Sequence, residues 1–413
     1  MDFDYSARVK DLLARLHAFM DAEVRPADPA YQAAIDRGDY PIDLIDGLKA
    51  KARAAGITPD TPLSYLEYAP LAEVMGRLPW SSEVFNCSAP DTGNMEILHL
   101  FATPEQRERW LVPLLEGRIR SGVSITEPEV ASSDPTNLAT TVRREGDAFV
   151  INGRKWFTTG AKHPRFAFTL VMAVSEDADA PRHGRHSFII VPVDTPGFRV
   201  VRDVAIMHHH APEGHCEVEF RDVRVPAANL LGEEGAGFAI AQARLGPGRI
   251  HHCMRTIGQC EYALELMCDR ALARETFGKK LADNANIQDW IAQSRIEIDQ
   301  ARFLNLYASW LMDRDGNKAA RILVSEIKVA AAQLQTRVLD RAMQVWGAAG
   351  ITPDTPLSYL WTWGRALRFM DGPDEVHLRT VARAELDKAR GKRGASSAYF
   401  TTPEQLAAAP RIR

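Results

Sequence analysis

From the first turn onward, apolar positions recur at three- and four-residue steps, as in Val9, Leu12, Leu13, Leu16, Phe19 and Met20, and this spacing predicts amphipathic helices to about residue 120. Around residue 122 the period changes. Leu138, Thr140 and Val142 alternate, Glu145-Gly146-Asp147 supplies a turn, and F-V-I-N-G follows, so strands are predicted here and over 166–174, 187–192 and 216–225. Helical spacing returns near Gly237 and continues to Lys388 with few breakers, long enough for helices to lie side by side. The expected fold is a multi-domain α+β chain. It has an N-terminal α-helical domain (1–121), a middle antiparallel β-barrel or sandwich domain (122–236) and a C-terminal four-helix bundle (237–390), with a loosely held tail at 391–413.

Composition narrows the function classes. Fifty basic residues against 54 acidic leave a net charge of −4, too balanced to attract nucleic acid or anionic lipid by bulk charge. No run reaches the roughly 18 apolar residues of a membrane span, and the first twenty residues carry no signal-peptide pattern, so a cytoplasmic protein with no membrane contact is expected. The five cysteines form no C-x-x-C pair, and their odd number argues for reduced thiols. Cys253, Cys260 and Cys268 share one apolar helical stripe with Ile250, Ile257 and Leu264, where packing explains them.

The segment A-A-G-I-T-P-D-T-P-L-S-Y-L occurs at 54–66 and again, letter for letter, at 348–360. Thirteen identical residues do not arise by chance, and a single duplication is not a solenoid signature. We read the amino-terminal copy as a graft that alters the pocket wall or stability more than the chemistry.

Neither a G-x-x-x-x-G-K-[ST] loop nor a G-x-G-x-x-G after a strand is present, which disfavours Walker- and Rossmann-type nucleotide binding. Other strings carry chemistry. In T-E-P-E-V-A-S-S-D (126–134), Thr126 and Ser132 or Ser133 bring hydroxyls into a turn suited to a ring carbonyl or a pyrophosphate, though an ordinary Ser/Thr-rich turn also fits. In K-W-F-T-T-G (155–160), strand alternation places Trp156 and Thr158 on one face, an aromatic plane beside a hydroxyl. Arg274 and Phe277 in R-E-T-F-G-K, near the end of a long helix, offer a guanidinium fork and an aromatic ring. Gln344, Gly347 and Gly350 in Q-V-W-G-A-A-G permit close backbone approach. Asp371, in F-M-D-G-P-D-E-V-H, is either a turn former or a carboxylate base, and partial burial would raise its pKa above the ordinary value of about 3.9. His208, His209, His210 and His215, with Glu213, Glu217 and Glu219, match no metal-ligand spacing, so no metal is expected.

In their order and spacing these strings resemble the acyl-CoA dehydrogenase family, flavoproteins that desaturate an acyl thioester between its α and β carbons. The resemblance covers nearly the whole chain. Through F-N-C-S-A-P-D-T-G-N-M-E (85–96) and D-G-P-D-E-V-H (371–377) it is similar to the branch that in animals can be fused to an aminoglycoside-phosphotransferase-like kinase domain, which these residues lack. The resemblance implies an FAD held by Thr126, Ser132, Ser133, Trp156 and Thr158, with Pro373 and Glu375 beside it. It also implies that Arg274, Phe277, Gln344, Gly347 and Gly350 reach the FAD of a neighbouring subunit in a homodimer or homotetramer. Asp371 stands where many members carry a Glu base, Arg249 near the substrate, and Asn86 and Asp91, with Asn94, along the acyl pocket unless they cap helices. Acyl-CoA as substrate and electron-transfer flavoprotein as acceptor complete the expectation. Its rivals are an acyl-CoA or nitroalkane oxidase of the same fold, a flavin-free acyl-CoA-binding scaffold, and a histidine-metal hydrolase.

Overall fold

The computed structural model describes residues 4–57, 61–175, 184–391 and 403–408. Of the tail predicted at 391–413, Gly391 ends a helix and Pro403–Ala408 forms a short one; the rest, like residues 58–60 of the duplicated segment, lies outside the described residues.

Helix α1 (Ala7–Phe19) starts at Ser6, whose hydroxyl accepts the Val9 amide, and passes through a wide turn at Met20–Val24 into α2 (Arg25–Asp36). Helices α3 (Ile42–Ala54), α4 (Tyr65–Gly76) and α5 (Asp91–Phe101) follow. Two short pieces, α6 (Pro104–Gln106) and α7 (Val112–Leu115), are joined by a second wide turn.

The strands are β1 (Arg120–Ser124), β2 (Thr141–Glu145), β3 (Ala148–Thr159), β4 (Phe166–Ser175), β5 (His186–Pro192), β6 (Phe198–Asp203), β7 (His215–Pro226) and β8 (Leu230–Leu231). Their order is β6-β7-β3-β2-β4-β5-β8, with β1 on β4. The expectation of a wholly antiparallel sheet is corrected in one respect: β1 and β2 both run parallel to β4. Strand β6 escaped the sequence because most of its side chains are exposed and carry no alternation to read.

Helix α8 (Gly237–Ala273) leads through a hairpin of β9 (Glu275–Thr276) and β10 (Lys279–Lys280) into α9 (Ala285–Trp346). Gly316 breaks α9 into two arms at φ 82°, ψ 171°; α10 (Leu357–Leu367) and α11 (Asp374–Gly391) complete the bundle. The apolar stripe through Cys253, Ile257 and Cys260 lies in one core with residues of α1, α3 and α4. Helix α4 approaches α8 so closely that a Cβ on Gly258 would sit 1.9 Å from the Glu73 carbonyl oxygen, so only glycine permits this crossing. Among the described residues no helix is long and apolar enough to cross a membrane.

Candidate active site

Asp371 lies between α10 and α11 in the left-handed region (φ 54°), a conformation that Asp tolerates better than most side chains. Donor side chains hold its loop by backbone oxygens. Arg249 Nε donates to the Asp371 carbonyl at 2.8 Å, His377 Nε2 lies 3.3 Å from the same oxygen, and the fully buried Lys328 donates to the carbonyls of Leu367 (2.6 Å) and Gly372 (3.2 Å). The carboxylate meets His252, with Oδ2 3.2 Å from Nε2.

Burial pushes the Asp371 carboxyl up, but the hydrogen bond from His252 and the guanidinium charges of Arg244 and Arg249 outweigh it and hold the group well below the usual carboxylate range. The expected upward shift is therefore reversed, because α8 turns a cationic face toward the loop. Arg244, His252 and Lys328 were not singled out from the sequence. The signal was present in the spacing: Arg244 and His252 are eight apart, about two turns on α8, and Arg249 and His252 three apart. What that face meets is a tertiary fact.

Strand β3 carries the second group of predicted residues. Its register against β7 shifts between Lys155 and Thr158, with Phe157 at φ 53°, so a bulge interrupts the alternation expected to pair Trp156 with Thr158. Lys155 and Thr158 are both buried, three residues apart. Thr158 Oγ1 lies 2.9 Å from Ser124 Oγ. The Trp156 amide donates to the Thr126 carbonyl at 3.0 Å, while its indole Nε1 is buried without a partner among the described residues. In the neighbouring loop Ser132 Oγ accepts the Glu127 amide at 2.9 Å. Thr126 and Ser133 are exposed. Beneath them Lys155 Nζ meets Glu127 Oε1 at 2.7 Å, and Glu127 also accepts the Ala139 and Thr140 amides, which fixes the loop from below.

The remaining predicted cofactor residues lie apart from this group. Arg274 caps α8, and Phe277 is not helical: it occupies the turn of the β9–β10 hairpin at φ 49°, fully exposed. Gln344 and Gly347 are exposed at the end of α9, with open space beside Gly347. Gly350 is buried, and a Cβ there would lie 2.5 Å from the Met343 carbonyl oxygen, so the chain's own packing requires that glycine. Pro373 and the exposed Glu375 open α11.

Asn86 and Asp91 both have partners within the chain. Asn86 donates to the carbonyls of Leu114 (3.1 Å) and Leu115 (2.9 Å), while Asp91 accepts the Ser121 amide at 2.8 Å and pairs with Arg120. Asn94 bridges the Ser121 hydroxyl (2.9 Å) to Arg244 (3.0 Å) and so ties α5 to the cationic face of α8. Among the described residues no three His, Cys, Asp or Glu side chains converge as metal ligands.

A helical layer, a mixed sheet and a helical bundle, with a half-buried carboxylate loop set against the bundle's first helix, define the class. The models of the acyl-CoA dehydrogenase N-terminal, middle and C-terminal domains match residues 6–118, 122–223 and 235–386. The chain belongs to the acyl-CoA dehydrogenase family. It is 51% identical over 401 residues to the probable acyl-CoA dehydrogenase FadE2 of Mycobacterium tuberculosis, covering 94% of this chain and 98% of that one. It is 48% identical over 398 residues to mouse acyl-CoA dehydrogenase family member 10, covering 92% of this chain but only 37% of that longer protein. A solved Mycobacterium abscessus structure named for the acyl-CoA dehydrogenases superposes with TM-score 0.89 at 48% identity, covering 94% of this chain and all of that one.

Proposed function

We propose that the protein is an FAD-dependent acyl-CoA dehydrogenase in which Asp371 removes the α proton of an acyl-CoA thioester. The observation that carries this reading is the Asp371 loop: a carboxylate held ionised by surrounding cations, its backbone pinned by Arg249 and Lys328. An ionised carboxylate is the form able to accept a proton. Its low basicity before substrate arrives implies that the acyl chain, by excluding water, raises the base toward its working range.

The residues present fit a flavin dinucleotide. The unpartnered Trp156 indole N–H suits a flat ring edge, and the exposed Thr126 and Ser133 suit the ring carbonyl and the pyrophosphate; Ser132 is engaged within its own loop. Bound FAD would take up the hydride leaving the β carbon. Thr158, fixed by Ser124, would orient the ring, and Trp156 would lie beside it. A second copy of the chain would present Arg274, Phe277, Gln344 and Gly347 to the dinucleotide, making the working form a homodimer or homotetramer. A fully exposed Phe at positive φ on a hairpin tip supports such a contact, since neither its exposure nor its backbone is favourable in isolation. Electron-transfer flavoprotein would then accept the electrons. The similarity at 85–96 and 371–377 supports placing the chain in the kinase-fused branch.

Anaerobic addition of butyryl-, octanoyl- or palmitoyl-CoA to the FAD-loaded protein tests the reading. At least one should bleach the flavin absorbance, and Asp371→Asn should bleach at least about 100-fold more slowly while retaining flavin. Equal bleaching by the variant, or none by the wild type, overturns it. Stoichiometric peroxide during aerobic turnover would favour an oxidase.

A further inference from the structure

A guanidinium can only donate hydrogen bonds. Arg255 Nη2 lies 3.3 Å from His252 Nδ1, so Nδ1 must be the accepting nitrogen and the ring proton resides on Nε2, which faces Asp371 Oδ2 at 3.2 Å. A second ring proton would face the guanidinium. Burial first, and then the charges of Arg255 and Lys328, keep His252 below its ordinary range, although Asp371 pulls it up.

Resting on the reading of Asp371 as the base, we infer that Arg255, His252 and Asp371 form a hydrogen-bonded relay in which neutral His252 is a positioning residue. Arg255 sets the tautomer, and the Nε2–H holds one oxygen of a side chain one methylene shorter than Glu. Further charged or titratable groups that face this pair are Arg244, Arg249, His251 and Cys253 of α8, Lys328 of α9, His377 of α11 and Tyr68 of α4. Burial, with the charges of Arg249 and Lys328, pushes His377 down to about 4, so it stays neutral above pH 5.

Two isosteric substitutions in the FAD-loaded full chain separate this role from packing. Gln places its amide N–H at the Nε2 position and reaches Asp371; Asn ends at the Nδ1 position and does not. His252→Asn should lower kcat about tenfold with KM little changed. It should also move the acid limb of kcat/KM upward by about one pH unit, because a donor to the ionised carboxylate is lost. His252→Gln should restore both. A His252→Asn profile that superimposes on wild type overturns the relay, as does His252→Gln being equally impaired. Bleaching by Asp371→Asn at the wild-type rate would instead overturn the base assignment, whatever the His252 variants do.

Discussion

His163 is 5% exposed, its Nδ1 accepting the Arg165 amide at 2.9 Å and its ring edge-on to Tyr40. Burial, and then the charges of Arg120, Lys49 and Arg165, push it down to about 3, against an ordinary value of 6.5. The unfolded chain therefore binds the extra proton between these values, so stability is complete above about pH 6.5 and falls as pH drops through that window. Relative to His163→Asn, which keeps an acceptor for Arg165, the wild type should lose about 2 kcal/mol between pH 7.5 and 5 in urea unfolding. A difference independent of pH would refute the assignment. Asp371 shows how far sequence reaches at this scale. Its candidacy was legible from its string, but the direction of its shift was not, because burial and cationic neighbours act oppositely and only their spatial balance decides.

At the scale of elements, the β9–β10 hairpin is a short unit whose two turn residues, Phe277 and Gly278, both have positive φ (49° and 77°). Such turns favour Gly or Asn, and Phe there is strained. Phe277→Gly should stabilise the isolated fold by up to about 1 kcal/mol while reducing FAD retention and self-association, read by melting temperature, flavin content and sedimentation. A variant that keeps its flavin and its mass would show that the hairpin contacts neither. The crossing of α4 over α8 is a second test, since Gly258→Ala forces a Cβ into the Glu73 carbonyl. It should cost about 1–3 kcal/mol. The helices and long strands were legible because their periods are strong; the β3 bulge and strands β1, β6 and β8 were not, since a register shift, a strand buried on both faces, an exposed strand and a two-residue strand leave no periodic signal.

Across the whole molecule, Arg120 at the start of β1 joins the helical layer to the sheet. It is 3% exposed, pairs with Glu83 and Asp91, and donates to Ser88 at 2.8 Å, while Lys49 meets Glu83 at 3.2 Å. Arg120→Met would leave buried carboxylates without their main partner and should destabilise the protein by about 3–5 kcal/mol in denaturant unfolding. A loss below about 1 kcal/mol would mean that water or Lys49 compensates.

The duplicated segment separates what sequence fixes from what it leaves open. In the first copy Ser64 caps α4, accepting the Glu67 amide while Glu67 accepts the Ser64 amide, and Asp313 takes the amides of Tyr65 and Leu66 at 2.8 Å. In the second copy the equivalent Ser358 lies inside α10, which begins at Leu357, and Leu357 and Leu360 are fully buried. Trp361 stands where Glu67 stood, so the reciprocal cap is lost and apolar burial sets the helix start instead. The identical residues Leu63-Ser64 and Leu357-Ser358 thus take different places relative to the helix start. The sequence alone determined the helix-sheet-helix order, the family and the strings that carry the chemistry, because period and residue type are local properties. Tertiary structure decided where each helix begins and which cations face Asp371, because these depend on groups far apart in the chain meeting in space.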